Sequence, residues 1–184
     1  INDEFSEWIR RICAEENVRT IIEIGASSGE GSTQQILKGV SQSQTAKKVF
    51  CVEFIKERFE QLQSNLENYD FAHAVHGSTV DLVSHPTSLG VVDFFEKNPE
   101  HAKVYGVEDF LRWHGEGVDL LDKASREGIS LDVIEKIREQ HGIQIFDVVL
   151  LDGSEFTGLV ELQKIYGAKY ILLDDICTYK NADS

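Results

Sequence analysis

Thr20-Ile21-Ile22-Glu23-Ile24-Gly25-Ala26-Ser27-Ser28-Gly29-Glu30-Gly31-Ser32-Thr33 is the stretch whose reading decides the fold. Its first five residues are a β-branched run suited to a buried strand. The glycines at 25, 29 and 31 stop that strand, and Gln34 to Val40 can continue as a helix. Strand, glycine loop and helix in this order open a βαβ unit.

Outward from this unit the same alternation repeats. Lys48 to Glu53 is a second apolar run, Ile55, Phe59, Leu62 and Leu66 recur at helical spacing, and Phe71 to His76 reads as a third strand. Phe146 to Asp152 and Lys169 to Asp174 are continuous apolar runs, the pattern of strands covered on both faces, with a short helix expected from Leu159 to Tyr166. Upstream, Phe5, Trp8, Ile9 and Ile12 predict an amphipathic helix ending near Glu16 and Asn17. Alternating strands and helices imply right-handed crossovers, so the expected fold is α/β: one domain over residues 1–184, with a mostly parallel sheet and helices on both faces. Gly77 to Ile143 is too long for a simple crossover and lacks strand-like runs. Val107, Phe110, Leu111, His114, Val118 and Leu121 mark one helix in it, and Leu131, Ile134 and Ile137, with Ser130 as a candidate cap, mark another. We read residues 86–141 as a helical insertion, open to two uses: a thicker helical layer or a lid over a substrate.

The glycine spacing is informative about ligands. A G-x-G-x-x-G reading fails because position 27 is Ser from Gly25 and position 34 is Gln from Gly29, and no Gly-Lys-Ser/Thr closes a phosphate-cradling loop. The arrangement E-x-G-x-x-x-G-x-G from Glu23 to Gly31 instead resembles the cofactor loop of class I S-adenosylmethionine-dependent methyltransferases. Such a ligand has a cationic amino group, a ribose diol and no phosphate. Glycines let the backbone approach it, Glu23 can offer acceptor oxygens, and the helix start near Ser32 can face a carboxylate. Glu53 ends the second strand 22 residues after Gly31, where its carboxylate can accept from both ribose hydroxyls. The expected cofactor residues are Glu23, Gly25, Ala26, Ser27, Gly29, Gly31, Ser32, Glu53 and Ser78. Together with Ile22–Thr33, the stretches Phe146–Gly158 and Ala168–Ile176, with Lys180 and Asn181, resemble bacterial FkbM-like methyltransferases. That resemblance implies a Rossmann-like fold and a transferase activity. Class I enzymes have seven strands, and this sequence reads five, leaving strands six and seven of that pattern unmatched.

Methyl transfer needs a positioned, deprotonated acceptor, so groups at the strand ends matter. Asp152 closes the fourth strand and is the expected catalytic residue, and a turn-forming Asp-Gly is the bland alternative. By resemblance to catechol O-methyltransferase and its relatives, Asp152, Asp174 and Asp175 are expected to hold a divalent cation such as Mg2+, with Asp175 standing where those enzymes have an amide. The competing reading has Asp175 point away and cap the chain after the strand, or pair with Lys180. His76 and Ser78, at the end of the third strand, are placed to line the adenine side or to act on substrate, with a partly buried structural role preferred for His76, and His85, His101, His114 and His141 are assigned no chemistry. Phe94, Phe95, Tyr105, Phe110 and Trp113 can line an acceptor pocket but at helical spacing are more often core.

Composition narrows the partners. A formal charge of -14, from 32 acidic and 18 basic residues, repels a phosphate backbone and disfavours nucleic acid. No run approaches a membrane span and no signal-peptide pattern opens the sequence, so a soluble, cytoplasmic protein acting on a small molecule is expected. Cys13, Cys51 and Cys177 are odd in number and widely spaced, which favours buried thiols over disulfides or zinc. Two rival functions remain open: a non-catalytic cofactor-binding or assembly module on this fold, and a metal-dependent hydroxylase-like enzyme.

Overall fold

A computed structural model describes residues 4–102, 105–176 and 179–180. Its strands are β1 (Thr20–Ile24), β2 (Lys48–Glu53), β3 (Ala72–His76), β4 (Val148–Leu151) and β5 (Tyr170–Leu173). They form a single sheet of order β3-β2-β1-β4-β5, and all four pairings are parallel. The sheet is therefore wholly parallel where a mostly parallel one was expected.

Alternation along the strands sorts the core into two layers. Ile21, Val49, Cys51, Val148 and Leu150 meet the apolar sides of α1 (Glu4–Ala14), α2 (Ser32–Gln42) and α3 (Lys56–Leu66). Ile22, Ile24, Phe50, Val52, Val149 and Leu151 turn the other way, onto α6 (Val133–His141) and α7 (Gly158–Ile165). Continuous apolar runs were the sequence mark of this double burial. Cys13 and Cys51 are buried free thiols, whereas Cys177 and Asn181 lie outside the described residues.

Between β3 and β4 the chain forms α4 (Ser88–Lys97), a 3-10 turn at Pro99–Ala102, α5 (Val107–Arg126) and α6, with no strand among the described residues. α4 was not anticipated, because its apolar pairs Val91-Val92 and Phe94-Phe95 lack a clean helical stripe. It is capped by Thr87, whose hydroxyl accepts from the Gly90 amide at 3.1 Å. The Ser130 cap was wrong. The cap position of α6 is Asp132, in a left-handed conformation at φ 59°, while the Ser130 carbonyl accepts from the Ser78 amide. Val91, Phe95, Phe110 and Phe156 make a third, separate core with Phe94 and Trp113 packed on it. The aromatic residues are thus core, apart from half-exposed Tyr105. No helix among the described residues is long and apolar enough to cross a membrane.

Candidate functional site

Strand order reverses between β1 and β4, so the chain leaves these neighbours in opposite directions and opens a crevice beyond their carboxyl ends. Backbone bonds draw the crevice together: Gly25 and Ala26 amides donate to the Val52 carbonyl at 3.1 and 2.9 Å, and the Asp152 amide donates to the Ile24 carbonyl at 2.9 Å. A cavity of about 440 Å³ lies there, within the roughly 300–1,000 Å³ span of small-molecule sites.

Gly25 is central to this closure. Its φ is +87°, and a Cβ on it would sit 2.0 Å from the Asp152 carbonyl oxygen, so only glycine lets the β1 turn and the β4 end touch. Two residues on, Ser27 also takes a left-handed conformation at φ 52°, uncommon for a residue with a side chain. That conformation aims the Ser27 amide at Glu53 Oε2, 2.9 Å away, while the Ile55 amide donates to Oε1 at 2.6 Å. Glu53 is 5% exposed and is held by backbone at both oxygens, each of which retains acceptor capacity towards the cavity.

Of the expected residues, Gly25, Ser27, Glu53, Ser78 and Asp152 line the cavity together. Glu23, Ala26, Gly29, Gly31 and Ser32 stand behind it. Glu23 is fully buried, and its oxygens accept from the hydroxyls of Ser32 at 2.5 Å and Thr33 at 2.7 Å. The carboxylate meeting the start of α2 thus comes from the chain itself. Burial pushes the Glu23 carboxyl above its ordinary range, and the two hydroxyl bonds oppose that rise.

The three aspartates do converge: one carboxylate oxygen from each of Asp152, Asp174 and Asp175 lies within 4.8 Å of the others. Lys180 is already among them. Its ammonium, 5% exposed, is 2.9 Å from Asp152 Oδ1 and 3.1 Å from Asp175 Oδ2. Burial raises the Asp152 carboxyl, Lys180 counters it, and Asp174 and Asp175 add to it. Burial works against the Lys180 charge, but the two carboxylates outweigh it and hold its pKa above the usual lysine value.

Several lining residues were not read from the sequence: Arg58, His85, Gly117, Leu121, Thr157 and Glu161. Glu161 is buried beneath Gly153, with Oε1 accepting from the Thr79 hydroxyl. Burial lifts its pKa, with the hydrogen bond from Thr79 opposing. The one available hint was a pair of glycines, 115 and 117, inside an otherwise good helical pattern. His76 is structural as expected, stacked on Phe59 at 4.7 Å with Nε2 3.2 Å from the Phe54 carbonyl. No protein-family model matches this chain, and no curated protein matches it either.

Proposed function

We propose that this chain is a Rossmann-like, class I methyltransferase that uses S-adenosylmethionine to methylate an oxygen atom of a small molecule, with the helical insertion at 86–141 forming the acceptor wall. The observation that carries the reading is Glu53. A buried carboxylate is fixed by two backbone amides at the end of β2, beside the left-handed Gly25 to Ser27 turn and across the crevice from Asp152.

The donor set suits this cofactor. Glu53 would hold the ribose hydroxyls, and Gly25 and Ser27 would lie against the ligand. Its reactive methyl group is the chemistry it supplies when bound. A phosphate-bearing cofactor fits less well, because Glu53, Asp152 and Glu161 put three acids on the wall against one fixed base, Arg58. The start of α2, where a phosphate would dock, is taken up with Glu23, so the carboxylate of S-adenosylmethionine, expected there, would have to be met elsewhere on the cavity.

A divalent cation is a separable part of the proposal. Asp152, Asp174 and Asp175 offer the all-oxygen set suited to magnesium, manganese or calcium, which would help deprotonate an acceptor hydroxyl. Lys180 already supplies one positive charge to Asp152 and Asp175, so a cation has to displace it.

Calorimetry with S-adenosylmethionine and S-adenosylhomocysteine tests the core of this reading. Both should bind, and Glu53→Gln should weaken both by about 1.5 to 3 kcal/mol, since hydrogen bonds to a charged acceptor are lost. No heat with either ligand would overturn the proposal.

A further inference from the structure

The cavity has a second wall, made by segments far from the glycine loop. Thr79 and Val80 follow β3, His85 precedes α4, Gly117, Leu120 and Leu121 come from α5, and Glu161 comes from α7. His85 stands out among them.

His85 is 8% exposed and clusters with His114 and Phe156, at ring distances of 5.0 and 5.8 Å. Its Nδ1 is buried without a hydrogen-bond partner. Such groups are uncommon in folded proteins and call for an explanation, often a ligand or a chemical role. The neighbouring His114 is different, because its Nε2 is 2.7 Å from the Pro86 carbonyl and its Nδ1 is 3.5 Å from the Ser88 hydroxyl. Both ring nitrogens of His114 have a neighbour at these distances, whereas His85 Nδ1 has none. Burial, and then the neighbouring His114, pull the His85 pKa below the ordinary imidazole value, with the Pro86 carbonyl opposing them. His114 on α5 is the titratable group facing it, and the loop after β4 presents the uncharged Phe156. A neutral imidazole keeps one nitrogen able to accept a proton.

The space beside this ring is kept open. A Cβ at Gly117 would lie 3.6 Å from His85 Nε2, so glycine at this helix-interior position leaves a gap against the imidazole at a cost in helix propensity. Val80, Leu120 and Leu121 add apolar surface beside Thr79 and Glu161, and the acids on the cavity wall outnumber its one fixed base, Arg58, which disfavours an anion.

We propose that this wall is the acceptor subsite, that it takes an uncharged alcohol or phenol with an apolar body, and that His85 receives the acceptor hydroxyl and its proton. The assignment rests on the methyltransferase reading. The hydroxyl oxygen forms its bond to the methyl carbon as the carbon–sulfur bond breaks, and that electron pair passes to the sulfur, which loses its positive charge. The proton moves to a ring nitrogen of His85 and leaves to solvent with the product.

Imidazole NMR of the full chain saturated with S-adenosylhomocysteine tests this, using phenol and 4-hydroxybenzoate as probes. The His85 signals, identified by their loss in His85→Gln, should titrate below the ordinary imidazole range. They should shift with phenol at concentrations where 4-hydroxybenzoate does nothing. His85→Gln should retain S-adenosylhomocysteine binding within about twofold while weakening phenol binding at least tenfold, and His114→Gln, if folded, should spare phenol binding. Retained S-adenosylhomocysteine binding with His85 signals unmoved by phenol overturns the subsite and leaves the methyltransferase reading intact. Phenol shifts in a chain that binds no S-adenosylhomocysteine overturn the proton-transfer role through that reading instead.

Discussion

Glu53 and Glu161 are both buried carboxylates on the same cavity, yet they are held by different parts of the chain. Glu53 accepts from the backbone amides of Ser27 and Ile55, so its position depends on the path of β2 and the glycine turn. Glu161 is held through Oε1 by the hydroxyl of Thr79, a side chain from the segment after β3. One wall is backbone geometry and the other is an assembly of side chains. The first should tolerate many side-chain changes and fail when the backbone is obstructed, and the second should behave the opposite way.

Gly25→Ala is the severest way to break that contrast. Its Cβ would lie 2.0 Å from the Asp152 carbonyl oxygen at φ +87°, so both turns must separate. We expect a loss of more than about 4 kcal/mol, at the extreme of single substitutions, read by urea denaturation. A variant within about 1 kcal/mol of the parent would refute the claim that this wall is fixed by backbone contact.

The same contrast explains what the sequence revealed. Strand, turn and helix are local patterns, so the parallel alternation was readable from spacing, and Gly25, Ser27 and Glu53 from the resemblance of that loop to a known cofactor loop. Asp152 was readable because it ends an apolar run. Glu23 was correctly flagged as an acid inside a strand, but the hydroxyls of Ser32 and Thr33 that occupy it depend on how α2 begins. His85 and Glu161 were not legible as lining one cavity, since the segments that carry them, before α4 and within α7, are brought to it only by the tertiary fold. α4 itself escaped because its burial is onto α5 and a satellite aromatic core, which gives a weaker stripe than packing on a sheet.

Lys180→Gln probes the acidic cluster at the ends of β4 and β5. Removing the ammonium leaves three carboxylates close together, two of them having lost their charge partner. Asp152 and Asp175 are partly exposed, so the loss is smaller than for a fully buried pair, roughly 2 kcal/mol. Manganese affinity, followed by electron paramagnetic resonance, should rise at least about tenfold as the three acids gain from a replacement cation. Unaltered manganese affinity would remove the cation from the proposal and leave Lys180 as the permanent partner of these acids.

The smallest expected effect is the finest test of the side-chain wall. Gly117 lies inside α5, where alanine is favoured over glycine by about 1 kcal/mol, and its added Cβ would meet nothing nearer than His85 Nε2 at 3.6 Å, an ordinary contact. Gly115, two residues earlier, would meet nothing within 4 Å and is exposed, so Gly115→Ala reports helix propensity alone. Both variants should gain about 0.5 to 1 kcal/mol in urea denaturation and bind S-adenosylhomocysteine like the parent, because neither touches the backbone wall. They should part company with phenol. The methyl group of Gly117→Ala occupies space beside the imidazole and should weaken phenol binding several-fold, whereas Gly115→Ala should not. If the two variants proved indistinguishable with phenol, the gap at Gly117 would be a feature of α5 alone, and the acceptor would have to meet the cavity elsewhere.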